Sequence, residues 1–182
     1  YFFLLSKLGI LNLQGCKGYK KGFYIDVGAN YGVTINNTLY FEKYNDWTGI
    51  NIEPIRSVYE KLLVNRPNNI NINCAVCNND GIADFIQNSN YTEVLSGLAE
   101  NYDARHITRI STENKQHNCC SETIKVRTKK IETICDEYNI YHVNYMSIDV
   151  EGAEASEKHG ILMIRLPKIN KKRQTKLKVR SR

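Results

Sequence analysis

The stretch "FYIDVGANYG", residues 23–32, decides the fold that we expect for this chain. A mostly apolar run leads into Asp26, and a loop with Gly28 and Gly32 follows at once. Such a run is typical of a buried strand that ends in a tight turn, where glycine permits backbone conformations that other residues avoid. We therefore predict a first strand over residues 22–26 that delivers a carboxylate to the start of a flexible loop.

Strand-like and helix-like segments alternate from there to residue 150, which predicts an α/β domain with helices packed on a mainly parallel sheet. The predicted strands two, three and four cover 48–53, 72–76 and 143–149, and two further strands cover 82–86 and 123–128. The first two predicted helices cover 31–44 and the stretch from near Pro54 through residue 63. A third helix covers 131–138, with Ile131, Ile134, Cys135 and Tyr138 facing inward. The turn "NNDG" favours an antiparallel hairpin between residues 72–76 and 82–86. Residues 87–121 are polar, with one short helix expected near 104–110, and a long segment of this kind is typical of a lid or a substrate loop.

Composition and charge divide the chain unevenly. At 182 residues and 42% hydrophobic content, the chain is long and apolar enough for one globular domain with its own core. The net charge of +6 comes from the end of the chain, because the ten basic residues from Lys158 onward have no acidic residue among them. We expect an N-terminal segment over 1–21, a domain over 22–157 and an irregular basic tail over 158–182, with nucleic-acid binding by the tail as a lesser alternative.

The N-terminal segment contains the longest early apolar run, "YFFLLSKLGIL", which is too short to cross a bilayer and is broken by Lys7. No small-residue cleavage site follows it. We therefore predict a cytoplasmic protein without a membrane span. Because the sequence opens on Tyr1, we also expect it to be a fragment of a longer chain.

The six cysteines leave three interpretations open, of which a secreted disulfide framework is one. A zinc site could combine Cys74 and Cys77 with His117, Cys119 and Cys120, but "INCAVC" reads as a strand where a zinc knuckle needs a tight turn. Buried free thiols are the preferred interpretation.

Acidic residues end three of the predicted strands: Asp26, Glu53 and Asp149. In an open parallel sheet the carboxyl ends of the strands meet at one edge, and ligands bind there. The alternative is that Asp26 and Glu53 merely cap adjacent turns.

A nucleoside with a cationic, amino-acid-like arm fits two of these acids. Glu53 can accept the hydroxyls of a ribose, and Asp26 ahead of the loop suits a positively charged ligand better than a pyrophosphate. S-adenosylmethionine is the common cofactor of that description. A nicotinamide-dependent oxidoreductase is the rival, but the Gly-x-Gly-x-x-Gly pattern is missing.

Four motifs, "GFYIDVGANYG", "GINIEP", "INCAVCNNDGIADF" and "VNYMSIDVEGAE", resemble in order and spacing the FkbM family of S-adenosylmethionine-dependent methyltransferases, over about residues 22–154. The resemblance implies a Rossmann-like class I methyltransferase fold and methyl transfer to a hydroxyl of a glycan or small molecule. It also implies a set of cofactor residues: Asp26, Gly28, Asn30 and Gly32 in the loop, Glu53 at the ribose, Ala75 and Val76 beside the adenine, and Asn78 where such families often have an aspartate.

Methyl transfer to an alcohol is assisted by a base, and Asp149, Glu151 and His106 are the candidates. A divalent metal on Asp149, Glu151 and Glu154 is a weaker alternative, and we predict no metal. After Glu154 the sequence departs from the family pattern, because a polar and basic stretch stands where an apolar helix and further strands are expected. We therefore expect an incomplete sheet at that end, to which "ILMIRL" adds one strand beside strand four. A non-catalytic remnant of such an enzyme is the alternative to an active methyltransferase.

Overall fold

The computed structural model describes residues 20–34 and 36–149, together with the backbone of residues 154–158 and 161–165. Its strands are β1 (Phe23–Val27), β2 (Thr48–Ile52), β3 (Ile70–Ile72), β4 (Ala75–Val76), β5 (Gly81–Asn88), β6 (Gly97–Leu98), β7 (Ser121–Lys129), β8 (Tyr145–Ile148), β9 (Glu154–Lys158) and β10 (Ile161–Arg165). Its helices are α1 (Leu39–Asn45), α2 (Arg56–Asn65), α3 (Ala104–His117) and α4 (Ile131–Glu137), with 3-10 turns at Asn90–Leu95 and Ala99–Asn101.

The first sheet has the order β3-β2-β1-β8, and all of its strands are parallel. The chain starts this sheet in the middle, builds outward to β3 and returns to the other side of β1 with β8. This reversal is the arrangement of Rossmann-like sheets, in which ligands bind at the carboxyl ends of the strands near the point of reversal. The described fold is therefore α/β and compatible with a Rossmann-like methyltransferase.

Strand alternation sends neighbouring side chains of β1 to opposite faces of this sheet. Tyr24 packs with Phe41, Trp47 and Tyr145 in an aromatic cluster beside α1. Ile25 and Val27 belong to the larger core, which also contains Phe85 and Val126 of the second sheet and Ile134 of α4. Asp26 shares the face of Tyr24, which decides its role below.

The second sheet corrects the predicted hairpin. Its order is β4-β7-β5-β6, so β7 lies between the two strands that we expected to pair. Thr128 of β7 is in register with both Ala75 of β4 and Gly81 of β5. The turn after β4 does reverse the chain, but it leaves a gap one strand wide between β4 and β5. The nine-residue strand β7 occupies this gap and pairs along the whole of β5.

The helix expected over residues 31–44 is much shorter, since α1 begins only at Leu39. The side chain of Asn36 explains the late start. Its Oδ1 accepts the backbone N–H groups of Thr38 and Leu39 at 3.1 and 2.9 Å. This local side-chain turn competes with helix formation and leaves the preceding residues to the loop.

Helix α3 is longer than the predicted short helix at 104–110. The side chain of its N-cap, Asp103, accepts the backbone N–H of His106, and Ile110 is its one buried residue. A single buried position gives little apolar periodicity, so the sequence pattern underestimates the helix. The polar segment also contains the short strand β6, where we expected none. In α4, Ile134 is buried, whereas Tyr138 is 39% exposed rather than inward.

Strand β10 lies in "ILMIRL", but it pairs antiparallel with β9 in a separate two-stranded sheet instead of adding to β8. The start of the predicted irregular tail is thus a strand. The predicted N-terminal segment up to residue 19 and the tail beyond residue 165 lie outside the described residues. No helix in the described part of the chain has the length and apolar character needed to span a membrane.

Candidate functional site

The carboxyl ends of the parallel strands carry the candidate site. Along this edge the chain segments follow the strand order: Asp149 after β8, the glycine loop after β1, Glu53 after β2, and Ala75 and Val76 shortly after β3. Neighbouring strands lie about 4.8 Å apart, so these groups form a row with regular spacing. A long ligand that spans several strand ends would contact a different group at each of them.

The loop after β1 is held by its own backbone. Gly28 has a φ angle of +77° and Asn30 one of +51°. The N–H groups of Gly28 and Ala29 both donate to the carbonyl oxygen of Ile52 at 3.0 Å, and that of Gly32 donates to Ala29. The N–H of Tyr31 donates to the side chain of Asn30.

Since the N–H of Asn30 also donates, to the side chain of Glu53, all five N–H groups of residues 28–32 are donated within the protein. Glycines at positions 28 and 32 suggested a backbone whose amides face a ligand, and the structure corrects that expectation. A phosphate cradle needs free N–H donors, and this loop offers none.

Glu53 connects the first two strand ends. Its Oε2 accepts the backbone N–H of Asn30 at 3.0 Å, and its Oε1 accepts that of Ile55 at 2.9 Å. Burial raises the pKa of Glu53 to about 7 against the effect of these two bonds. An ionised carboxylate has about four acceptor positions, so two remain for donors on a ligand.

Asp26 is turned away from a cavity of about 410 Å³ that opens at this edge of the sheet. Because Val27 lines the cavity, the preceding side chain points to the opposite face of the sheet. Asp26 is buried there and accepts hydrogen bonds from Thr38 Oγ1 and Asn36 Nδ2, each at 2.8 Å. Burial raises its pKa, opposed mainly by these bonds. The carboxylate fastens the segment that follows the glycine loop.

Arg66 completes this buried network, and no pattern in the sequence pointed to it. The side chain is fully buried and forms an ion pair with Glu42. It donates to the hydroxyl of Tyr24 at 2.7 Å, to the carbonyl of Gly32 at 3.0 Å and to Thr38 at 3.2 Å. In "NRPNN" an arginine between a helix and a proline reads as a solvated residue. Its role here is to hold Gly32, at the end of the glycine loop, through the hydrogen bond to the carbonyl of that residue.

Gly32 belongs to the same packing. Its φ angle is +77°, and a Cβ at this position would lie 2.6 Å from Leu62 Cδ1 and 2.7 Å from Arg66 Cγ. The glycine is required by the close approach of α2 to the loop, so its role is structural.

A cavity of about 410 Å³ opens at the edge of the sheet. Its apolar walls come from strand ends and α2, and include Ile52, Val58, Cys74, Phe85 and Leu98. Its acidic side chains are Glu53, Glu93 and Asp149, and no lysine, arginine or histidine of the described residues lines it. The charge of Glu93 contributes to the raised pKa of Glu53. Such a cavity favours a positively charged ligand with a large apolar part over an anion.

The far wall of the cavity comes from the polar segment that we expected to be a lid or a substrate loop. Asn90, Glu93 and Ser96 from the first 3-10 turn and its end, and Asn101 from the second, all line it. The wall is braced from outside, because Thr92 donates to Asn114 of α3 at 2.6 Å and the ring of Tyr91 stacks on His117. The pattern of residues 87–121 did not indicate which of its side chains reach the cavity.

Comparison with known proteins identifies the family of this domain. The model of the methyltransferase FkbM domain matches residues 26–162, about three quarters of the chain. The chain belongs to the FkbM methyltransferase family. No curated protein and no solved structure gave a significant match.

The FkbM domain thus brings six of the predicted site residues to one cavity: Gly28, Asn30, Glu53, Ala75, Val76 and Asp149. Four others, Asp26, Gly32, Asn78 and His106, are not among its lining residues. Glu151 lies outside the described residues, as does the side chain of Glu154.

Asp149 lies at the mouth of the cavity, where its backbone N–H donates to the carbonyl of Val27 at 2.9 Å. The side chain is accessible to solvent, and the protein around it desolvates the carboxyl group enough to raise its pKa. A raised pKa makes an ionised carboxylate a better proton acceptor. Of the three predicted bases, this is the one that the described FkbM domain holds at the cavity.

His106 lies instead on α3, and its ring packs against that of Tyr102 with the centroids 4.4 Å apart. The helix begins at Ala104 and lines a second groove, of about 590 Å³, with other side chains such as Ile107 and Ile110. His106 is not among the residues that line the 410 Å³ cavity at the ends of the parallel strands. We therefore drop His106 as a candidate base.

Cysteines and acids form no metal site in the described residues, where no group of three or more histidine, cysteine or acidic side chains could hold an ion. Cys74 and Cys77 are buried free thiols, as predicted, and burial raises the pKa of Cys74 to about 11. Cys120 is exposed, which contradicts the prediction of burial at that position.

Proposed function

We propose that the cavity binds S-adenosylmethionine and that the domain transfers its methyl group to a hydroxyl oxygen of a glycan or small-molecule acceptor. The observation that carries the proposal is the lining of the cavity at the reversal point of the sheet, where the described residues contribute three acids and no basic side chain, and where the glycine loop has no free amide. A dinucleotide would need donors for its pyrophosphate. A sulfonium cation with a ribose and an apolar base needs acids and an apolar wall.

The residues present fit such a cofactor. Glu53 retains two acceptor positions for the ribose hydroxyls. Ala75, Val76 and Phe85 provide an apolar region for the base, and Gly28 and Asn30 lie beside the amino-acid arm. Bound there, S-adenosylmethionine would supply a methyl group that is already activated for transfer by its sulfonium.

The protein's contribution to the reaction is positioning and the handling of one proton. Holding the acceptor oxygen in line with the methyl group can supply about 7 to 11 kcal/mol of the barrier reduction. The acceptor hydroxyl would lose its proton as its oxygen takes the methyl group, so the chain has to supply a proton acceptor. Asp149 at the mouth of the cavity is the proton acceptor that we propose.

Polar side chains on the far wall, namely Asn90, Glu93 and Ser96, suit an acceptor that is rich in hydroxyl groups. An anionic acceptor, such as a nucleic acid, would be repelled by the three carboxylates. The acidic lining therefore favours a neutral acceptor over the nucleic acid that the basic tail suggested.

Calorimetric titration with S-adenosylmethionine and with S-adenosylhomocysteine tests the proposal. We expect both to bind the wild-type chain. The Glu53→Gln variant should bind them about 10- to 100-fold more weakly, because hydrogen bonds to a charged acceptor are lost. Glu60→Gln is the matched control, since Glu60 is an exposed residue of α2 that pairs with Arg56. A folded wild-type protein that gives no heat with either compound would refute the proposal.

A further inference from the structure

The side chain of Asn101 contains a buried oxygen that the mechanism above does not use. Oδ1 of this residue is shielded from solvent and has no hydrogen-bond partner among the described residues. Asn101 is also one of the residues that line the 410 Å³ cavity. An unsatisfied buried acceptor is destabilising, so its presence at a cavity wall indicates that a ligand supplies the missing donor.

The position of Asn101 identifies which end of the cavity it serves. The preceding residue, Glu100, lies in contact with Cys77, with the sulfur 3.4 Å from Oε1. Cys77 directly follows Val76 at the end of β4. Asn101 therefore lies at the β4 end of the row of groups along the edge of the sheet. Asp149 and the glycine loop lie towards the other end, with Glu53 in between.

The surroundings of Asn101 suit a flat apolar ring with a polar edge. Val76, Phe85 and Leu98 all line the cavity and are buried side chains of the second sheet. Gly97, next to Leu98, is packed against Tyr102, whose hydroxyl donates to the carbonyl of Leu95 at 2.5 Å. This packing fixes the chain on both sides of the second 3-10 turn, which carries Asn101, so the amide is held on a rigid support.

We propose that Asn101 recognises the adenine base of the cofactor, with Oδ1 accepting a hydrogen bond from the 6-amino group. A carboxamide matches the edge of adenine, because its oxygen accepts from the amino group while its nitrogen donates to a neighbouring ring nitrogen. Asn78, which the resemblance placed among the cofactor residues, does not line the cavity. The inference rests on the proposed function, since it assumes that an adenosyl group enters this cavity.

A thermodynamic cycle tests the contact without measuring turnover. The probes are S-adenosylhomocysteine and its analogue with hydrogen in place of the 6-amino group, and the proteins are the wild type and Asn101→Leu. The wild type should bind the analogue about tenfold more weakly than S-adenosylhomocysteine. In Asn101→Leu the affinity for S-adenosylhomocysteine should fall by about the same factor, and the difference between the two probes should disappear.

Asn68→Leu is the control, because Asn68 is an exposed asparagine in the turn after α2, and it should keep both wild-type affinities. If the wild type binds the two probes equally well, the inference is wrong even when Asn101→Leu cannot be folded. If Asn101→Leu keeps the tenfold difference, the inference is also wrong, while binding of S-adenosylhomocysteine leaves the proposed function standing. Failure of the wild type to bind S-adenosylhomocysteine overturns both.

Discussion

Asn30 donates its backbone N–H to the carboxylate of Glu53 over 3.0 Å, so the acid at the end of β2 fastens the glycine loop at the end of β1. The same carboxylate holds the turn that leads into α2, through the N–H of Ile55. Glu53 therefore shapes both neighbouring loops as well as facing the cavity. Asp26, which the sequence presents as its counterpart, lies on the opposite face of the sheet.

This separation of the two acids predicts different effects of removing their charges. Asp26→Asn keeps an oxygen that can accept from Thr38 and Asn36, and it changes no group in the cavity. We expect its dissociation constant for S-adenosylhomocysteine to stay within about threefold of the wild type, whereas Glu53→Gln loses much more. Calorimetry on both variants measures this. Equal losses in the two variants would restore Asp26 as a cofactor residue.

The pKa of Glu53 predicts how stability depends on pH. It is about 7 in the folded protein against an ordinary value of 4.5, so between these pH values the folded state holds a proton that the unfolded state has released. The free energy of unfolding should therefore fall as pH rises from about 4.5 to 7, by up to roughly 3 kcal/mol from this group.

Urea unfolding of the wild type and of Glu53→Gln across this pH range isolates the effect, because all other groups titrate in both proteins. The variant cannot lose a proton at this position, so its stability relative to the wild type should increase from pH 4.5 to 7 and then level off. A difference that stays constant with pH would show that Glu53 ionises normally in the folded chain.

Arg66 is predicted to contribute strongly to stability. Arg66→Met removes the cation from a fully buried site and leaves Glu42, Tyr24 and the carbonyl of Gly32 without their donor. Breaking a buried ion pair in this way costs about 3–5 kcal/mol, which urea unfolding would measure. Arg56→Met is the control, because Arg56 forms an exposed pair with Glu60 and its loss should cost at most about 1 kcal/mol. Similar losses in both variants would argue against the network.

Asp149 is predicted to act in proton transfer and not in cofactor binding. Asp149→Asn should lower kcat for methyl transfer by about 10²- to 10⁴-fold, measured as release of S-adenosylhomocysteine with a hydroxylated acceptor. Its dissociation constant for the cofactor should change little. His106→Gln, on the remote helix α3, should keep wild-type kcat. A loss of activity in the histidine variant alone would reverse this assignment.

The sequence alone determined strands β1, β2 and β8, the acids at their ends and the family, because each depends on local patterns of a few residues. The predicted third strand, over 72–76, is instead divided between the end of β3 and β4 of the second sheet. A run of apolar residues, a glycine turn and a carboxylate are recognisable wherever the chain folds. The edge of the sheet then follows, since parallel strands bring their carboxyl ends together.

Only the tertiary structure decided which of these groups reach the cavity. Asp26 and Val27 are adjacent in sequence, yet strand pleating sends one to the buried network of Arg66 and the other to the cavity wall. The hairpin expected between β4 and β5 gave way to β7, a strand that lies some 40 residues further along the chain. Glu93 and Asn101 come from 3-10 turns in a polar segment without periodicity, and their places are fixed by packing against Tyr102 and α3. Contacts between residues distant in sequence leave no local pattern, and for this reason they could not be predicted.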